Sequence, residues 1–269
     1  MRKLFNSLPI TGIAKTITDV MGVDAPKQAA PSIEIITEKA KSVFGNQRAE
    51  RVFIFNPDAV ALWLLQKYTA WFQQMFLDSD VQIPLLSVMP CVTPVCFASM
   101  YTGAMPGVHG IEEYEKPVLR TDTVFDALLR AGFKPAIVSV PEDSIPCIFL
   151  ERQMDYFLYD TYDECNKKAL ELIEEDKHDL IVLYNGNYDI AMHRSGPESG
   201  EALGELKRNI ETFSAMSRHI QKHWGSHRVM LGFCPDHGCH EIDGNLGSHG
   251  LDVPDDMNVV HFFSFGAGR

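Results

Sequence analysis

The sequence contains no long uninterrupted apolar run, no closely paired cysteines and no surplus of positive charge. No run of about 18 apolar residues occurs, so no membrane-spanning helix is predicted. The chain starts with basic residues, but Asn6, Pro9 and Lys15 interrupt the apolar positions that follow, and no signal-peptide core is predicted. We therefore expect a cytoplasmic protein that does not associate with a membrane.

The shortage of basic residues also limits the class of partner. Lys and Arg number 24 against 36 Asp and Glu, which gives a net charge of −12. Binding to a nucleic-acid polymer is disfavoured, because it requires a basic surface that displaces counterions. A small phosphorylated substrate stays compatible with this charge, since bound metal ions reverse the local field. The 6 cysteines show no CxxC spacing, which argues against a disulfide framework.

Apolar segments alternate along the chain between the periods of strands and helices. Strands are predicted at 52–56, 83–88, 134–140, 179–185, 228–234 and 258–265, and helices at 10–21, 32–44, 59–76, 94–102, 121–132, 161–176 and 199–223. This order predicts an α/β fold, a three-layer sandwich with a mostly parallel central sheet and helices on both faces. Residues 1–48 are predicted to form a helical arm, and 49–269 a single domain.

Chemically useful side chains follow four of the predicted strands. They are Asp58, Thr93, Asp189 and His193, and then Asp236, His237, His240 and His249. In such sheets, sites lie beyond the carboxyl ends of the strands, so these residues are expected to meet.

Each residue also has an ordinary structural explanation. Asp58 and Thr93 could be helix N-caps, and Asp189 with His193 a surface pair. Taken together, the aspartates and histidines supply nitrogen and oxygen ligands for two ions, with Zn²⁺ as the first choice and Mn²⁺ as the second. Two such ions can clamp the attacking and leaving oxygens of a displacement. Thr93, at a helix N-terminus where anions bind, is the predicted nucleophile.

The segments PDAV, VTPVCFASMYTGAMPGVHGI, YDIAMHRSGP, PDHGCH and GSHG resemble the alkaline phosphatase superfamily, in particular its type I phosphodiesterase/nucleotide pyrophosphatase branch. The resemblance runs from about Val52 to the C-terminus. It implies an alkaline-phosphatase-like catalytic domain with a minimal cap in residues 49–269. It also implies hydrolysis of phosphate esters through a phospho-enzyme intermediate on Thr93. The implied ligands are Asp58, Asp236 and His237 for the metal that contacts Thr93, and Asp189, His193 and His249 for the other metal.

One segment departs from the branch. An Asn that contacts the bound phosphate would follow His-Gly-Ile, but here the chain reads HGIEEYEK, with Glu112, Glu113 and Tyr114 near that place. Tyr114, Glu112 and Lys116 are therefore the candidate substrate contacts. Phosphomonoesterase and phosphonate hydrolase activities stay open as alternatives on the same site. A sulfatase is disfavoured because the required Pro and Arg are missing, and a mutase because no large extra domain fits.

Two further interpretations concern assembly and the spare histidines. A metal-binding assembly protein on this scaffold is the alternative from outside the enzymes, and a homo-oligomer could form through residues 1–48. His109 is predicted to fix a loop, and His240 to lie in an outer position near the site. His219, His223 and His227 are interpreted as cationic residues at a helix end.

Overall fold

The computed structural model describes residues 4–45 and 47–268. Its strands are β1 (Arg51–Pro57), β2 (Val81–Leu86), β3 (Pro135–Ser139), β4 (Asp155–Leu158), β5 (Leu180–Asn185), β6 (Arg228–Phe233), β7 (His240–Ile242), β8 (Leu246–Ser248) and β9 (Asn258–Ala267). Its α-helices are α1 (Gly12–Met21), α2 (Glu34–Phe44), α3 (Leu62–Lys67), α4 (Gln73–Asp78), α5 (Thr93–Thr102), α6 (Pro106–His109), α7 (Val124–Arg130), α8 (Ser144–Ile148), α9 (Tyr162–Glu175), α10 (Asn187–Ser195), α11 (Gly200–His223) and α12 (Pro254–Met257).

Seven strands form one central sheet in the order β2-β9-β6-β1-β5-β3-β4. β9 is antiparallel to both of its neighbours, and the remaining pairs are parallel. The strands β1, β5 and β6 are buried almost throughout, as expected for parallel strands that are covered on both faces. The prediction of a mostly parallel α/β sandwich is confirmed. The short strands β7 and β8 form a separate hairpin.

Two hydrophobic clusters lie on opposite faces of this sheet. One includes residues of α1, α2, α5, α7 and α8, and the other includes residues of α3, α4, α9, α10 and α11. Helix α5 contacts α1, α7 and α8, and every one of its residues is buried. Its N-terminus is therefore held in a fixed place.

The helices α1 and α2 belong to the first cluster. Ile13, Ile17 and Ile36 are fully buried there together with Val52 and Ile54 of β1. The apolar faces of these helices therefore contribute to the core and do not lie at its periphery. The division of the chain at residue 48 stays a prediction.

One predicted helix is wrong in its extent. The segment 59–76 consists of α3, a 3-10 helix at Thr69–Phe72, and α4. Ala59 has a left-handed backbone with φ of 59°, so the helix cannot begin directly after Asp58. Tyr68 has φ of −110° and ends α3. Along the described residues, no helix has both the length and the apolar character needed to cross a membrane.

Candidate active site

Three adjacent strands deliver the three predicted aspartates to one edge of the sheet. Asp58 directly follows β1, Asp189 lies in the first turn of α10 after β5, and Asp236 lies just beyond β6. β1 is the middle strand of this trio. The backbone N–H of Asp58 donates to the carbonyl of Asn185 at 3.0 Å, which fixes the first aspartate against the end of β5.

Thr93 lies at the same site, although β2, the strand that precedes it, is at an edge of the sheet. It is the first residue of α5, with Val92 at the N-cap, one position earlier than the cap predicted from the sequence. The connection from β2 is tied to the β6 end by Ser87, whose hydroxyl donates to the carbonyl of Asp236 at 2.7 Å. Thr93 Oγ1 lies 3.3 Å from Asp58 Oδ2 and 3.3 Å from His237 Nε2.

The predicted ligands form two compact groups. Asp58, Asp236 and His237 are buried, and His237 Nε2 lies 3.5 Å from Asp58 Oδ1 and 3.3 Å from Asp236 Oδ2. Asp189 Oδ1 lies 3.3 Å from His193 Nε2 and 3.5 Å from His249 Nε2. This second group is open to solvent, because the side chain of His193 is 43% exposed.

The two groups adjoin each other through stacked imidazoles. The ring centroids of His237 and His249 are 4.1 Å apart with an interplanar angle of 29°. The centroid of His193 lies 4.9 Å from that of His249. The structure therefore brings Thr93 and all six predicted ligands into one cluster.

All three histidines are oriented by backbone carbonyls. Nδ1 donates to Gly238 O at 2.9 Å in His237, to Gly247 O at 3.0 Å in His193 and to Cys91 O at 2.8 Å in His249. A carbonyl only accepts, so Nδ1 carries the hydrogen and the Nε2 lone pair faces the carboxylates. This arrangement is typical of metal-binding histidines, whose outer contacts fix the tautomer.

The carboxylates also fit two cations. Asp58 Oδ1, Asp189 Oδ1 and Asp236 Oδ2 are buried and have no hydrogen-bond partner among the described residues. Their ion pairs there involve histidines, and none involves Lys or Arg. Unpaired buried charge is costly, and a cation satisfies it. A tetrahedral ion with bonds of about 2.0 Å has ligand–ligand distances of about 3.3 Å, close to the 3.3–3.5 Å between the histidine nitrogens and the carboxylate oxygens in each group.

Burial and the proximity of the carboxylates to one another change the pKa values of the site residues. Burial, and then the charge of Asp189, raise the pKa of Asp58 well above its usual range. Burial, and then the charge of Asp58, do the same to the pKa of Asp236. Burial lowers the pKa of both His237 and His249, which keeps these imidazoles neutral and able to act as ligands.

Two glycines allow the loops to approach this closely. A Cβ on Gly238 would lie 2.0 Å from the carbonyl oxygen of Asp255, and a Cβ on Gly247 would lie 2.7 Å from that of Met192. Only glycine fits either place without backbone movement. Each glycine also provides a carbonyl that orients a site histidine.

Residues 52–258, more than half of the chain, match the family described as type I phosphodiesterase / nucleotide pyrophosphatase. The chain belongs to this family. Membership confirms the resemblance seen in the sequence and supports phosphate-ester hydrolysis. Among curated proteins, no match to the sequence was found.

Solved structures resemble this phosphodiesterase-family chain in fold. Murine ectonucleotide pyrophosphatase/phosphodiesterase 5, solved in an inactive form with AMP, is 16% identical with a TM-score of 0.58, over 72% of this chain and 59% of that chain. The human protein of that name is 16% identical with a TM-score of 0.59, over 72% and 58%. Phosphonoacetate hydrolase from Sinorhizobium meliloti 1021, solved with phosphonoformate, is 18% identical with a TM-score of 0.51, over 73% and 59%. The chain thus spans less than two thirds of each.

Polar side chains that were not predicted from the sequence surround this cluster. The hydroxyl of Tyr184, near the end of β5, donates to Asp58 Oδ2. Asp143, after β3, accepts from Ser139 Oγ at 3.1 Å and from the hydroxyl of Tyr162 at 3.3 Å. Burial raises the pKa of Asp143 to about 6. Tyr184 and Asp143 both lie close to the end of a strand, and that position was the signal that could have identified them. The signal was used only for residues within the motifs that carry the family resemblance.

The predicted substrate contacts lie on the segment between α6 and α7. Tyr114 is exposed, and Lys116 Nζ donates to the carbonyl of Glu142 at 2.7 Å and lies 5.6 Å from the Tyr114 ring centroid. In the part of the chain that the structure describes, no hydrogen bond or ion pair joins Glu112, Tyr114 or Lys116 to the metal-ligand groups.

The two spare histidines near the site have structural contacts. His109 Nδ1 accepts from the backbone N–H of Ile111 at 3.2 Å, and its Nε2 lies 2.9 Å from Ser99 Oγ, so it fixes a loop as expected. His240 Nδ1 lies 2.7 Å from Asp256 Oδ1 and belongs to neither ligand group.

Proposed function

We propose that this chain hydrolyses small phosphate esters, phosphodiesters first among them, through attack by Thr93 on phosphorus. The observation that carries the proposal is the position of the Thr93 hydroxyl, 3.3 Å from both Asp58 Oδ2 and His237 Nε2, at the start of a buried helix. The family match supports a phosphate-ester substrate.

Two divalent cations complete the proposed site, one held by Asp58, Asp236 and His237 and the other by Asp189, His193 and His249. When bound, they would supply Lewis-acid stabilisation of negative charge on the Thr93 oxygen and on the phosphoryl oxygens. The unpartnered oxygens of the three aspartates support this assignment. The mixed imidazole and carboxylate ligands favour Zn²⁺, with Mn²⁺ as the second choice.

The residues of the chain divide the reaction into two displacements. Asp58 Oδ2 accepts a hydrogen bond from the Thr93 hydroxyl and aligns its oxygen, and the backbone N–H groups at the start of α5 would face the phosphoryl group. Attack by Thr93 Oγ1 forms a phosphothreonine ester as the bond from phosphorus to the first leaving oxygen breaks, and that oxygen takes up the proton lost by Thr93 and leaves as an alcohol. Water reaches this ester from the exposed side, near His193, and its attack restores the free threonine.

The substrate is proposed to be small. Two of the structural relatives were solved with AMP and with phosphonoformate, which are both small phosphorus compounds. Tyr114, Glu112 and Lys116 are proposed to contact the substrate, and Lys116 would have to leave the Glu142 carbonyl to do so. Phosphonate hydrolysis is the second candidate, supported by the fold that the chain shares with a phosphonoacetate hydrolase.

An activity panel tests this proposal. The chain is assayed with bis-p-nitrophenyl phosphate, p-nitrophenyl phosphate, a dinucleotide pyrophosphate and phosphonoacetate, each with Zn²⁺, Mn²⁺ or a chelator. We expect metal-dependent turnover of the diester, lowered on the order of 10³-fold or more in Thr93→Ala. Thr93→Ser keeps a hydroxyl and should retain measurable turnover. If Thr93→Ala equals the wild type, the nucleophile is wrong, and if no substrate turns over, the assembly-protein alternative gains support.

We also propose a cellular location and an oligomeric state. A cytoplasmic location rests on the sequence alone. An oligomer formed through residues 1–48 is supported by exposed apolar side chains there, namely Leu4, Leu8 and Ile35. Size measurement of the purified chain at several concentrations tests the second.

A further inference from the structure

A third group of metal-ligating side chains lies far from the proposed hydrolytic site. Glu174 is in the last turn of α9, and His219 and His223 are one turn apart near the end of α11. One ligand atom from each lies within 4.8 Å of the others. These helix ends precede β5 and β6, so the group lies where those strands begin, whereas Asp189 and Asp236 follow their ends.

The two imidazoles converge on one carboxylate oxygen. Nε2 of His219 lies 2.9 Å and Nε2 of His223 lies 3.9 Å from Oε1 of Glu174. Both Nε2 atoms are shielded from solvent, and in the described structure neither has a partner in hydrogen-bond geometry. Buried ring nitrogens normally have such a partner. Unpartnered nitrogens that face a carboxylate oxygen form an arrangement that a cation would satisfy.

A hydrogen bond from the Trp224 side chain joins the ends of the two helices before any ion binds. Trp224 follows His223, is buried, and donates from Nε1 to the carbonyl of Ile173 at 2.9 Å. Ile173 directly precedes Glu174, so this bond joins the two turns that carry the ligands. The spacing of the histidines, i and i+4, places both rings on one face of α11, as in helical zinc-binding motifs. The carbonyl ends of both helices also favour a positive charge nearby.

We propose that Glu174, His219 and His223 bind one divalent transition-metal ion, Zn²⁺ by ligand preference, which links α9 to α11. Two imidazoles with one carboxylate disfavour Mg²⁺ and Ca²⁺, which prefer oxygen ligands. Three protein ligands leave a position for water, and the half-exposed side chain of Glu174 keeps the site accessible. This ion stabilises the fold and takes no part in hydrolysis.

Metal content of the full chain tests the proposal. The chain is stripped with a chelator, equilibrated with Zn²⁺ and analysed for bound metal. The double variant His219→Gln/His223→Gln should hold one ion fewer per chain than the wild type, with unchanged activity, and Glu174→Gln should weaken that site at least roughly tenfold. His227→Gln is the matched control, because His227 lies beyond the end of α11, contacts Asp176 at 2.8 Å and is outside the group.

A second background separates this site from the hydrolytic one. In Asp58→Asn/Asp189→Asn, both proposed catalytic ions lose a carboxylate, yet Zn²⁺ should still bind one equivalent and raise Tm. That rise should vanish when His219 and His223 are also replaced. Equal Zn²⁺ content and equal Tm with and without the two histidines would overturn the proposal, as would equal occupancy by Mg²⁺. Neither result depends on whether the chain hydrolyses phosphate esters.

Discussion

Replacement of Asp236 by asparagine is expected to act in opposite directions on the metal-free and the metal-loaded protein. Asp236 is fully buried, and its Oδ2 has no hydrogen-bond partner in the described structure. Its raised pKa shows that the ionised form is disfavoured by burial and by the charge of Asp58. Asp236→Asn removes the carboxyl, and with it the cost of either burying its charge or neutralising it with a proton. The new amide can also donate to His237 Nε2, which lies 3.3 Å from the present Oδ2.

The two effects are comparable in size. Relief of one buried, unsatisfied charged group should stabilise the metal-free protein by about 2 kcal/mol, which is a rise in Tm of roughly 4–8 °C. Loss of a charged ligand should weaken metal binding at least about 100-fold. At saturating metal, that factor removes about 2.7 kcal/mol of metal-dependent stabilisation. The variant should therefore melt above the wild type in chelator and show a smaller rise in Tm with Zn²⁺ than the wild type does.

Thermal unfolding at pH 7.5, with chelator and with Zn²⁺, measures both effects. Asp256→Asn is the matched control, because Asp256 is equally buried but fully bonded. Its Oδ1 lies 2.7 Å from His240 Nδ1, and its Oδ2 accepts from the backbone N–H of Leu251 at 2.8 Å. Asp256→Asn should lower Tm in both conditions. The reasoning is refuted if Asp236→Asn lowers the metal-free Tm as much as this control does.

Four further outcomes follow from the site. Because the pKa values of Asp58 and Asp236 are raised, the folded state holds more protons than the unfolded state. The stability of the metal-free protein should therefore fall as pH rises above about 4, and a Tm that does not change with pH would contradict this. Metal binding near neutral pH should release protons, measured by calorimetry in buffers of different ionisation enthalpy, and zero release would count against those pKa shifts. Tyr184→Phe removes a donor to Asp58, so its activity should fall roughly 10–100-fold and shift to higher pH, whereas an unchanged pH profile would exclude this role. Gly238→Ala should cost about 1–3 kcal/mol by thermal unfolding, because the new Cβ would meet the Asp255 carbonyl, and an unchanged Tm would show that the loop yields freely.

Two of the candidate ligands could be located in the sequence because each directly follows an apolar strand. The run at 52–56 and the run at 228–234 locate Asp58 and Asp236, and parallel strands bring their ends to one edge. The order of the strands in the sheet could not be predicted from the sequence. That β1 lies between β5 and β6 depends on long-range packing, which no local pattern encodes.

The residues that were missed make their contacts only in the folded chain. Tyr184 fits the apolar pattern of β5, so its hydroxyl contact with Asp58 was visible only in the folded chain. The group of Glu174, His219 and His223 depends on the packing of α9 against α11, and one helix alone suggested only dipole effects. The helix predicted over 59–76 begins later than expected because the turn at Ala59 places Asp58 against β5, and that tertiary requirement outweighs helical spacing.

The stereochemical course at phosphorus tests the central claim, attack by Thr93, most directly. A diester made chiral at phosphorus with oxygen isotopes and sulfur is hydrolysed in labelled water by the metal-loaded chain. Two successive in-line displacements, through a phosphothreonine, each invert the centre, so we predict net retention of configuration. Net inversion would mean that water attacks the substrate directly, and would contradict the role assigned to Thr93.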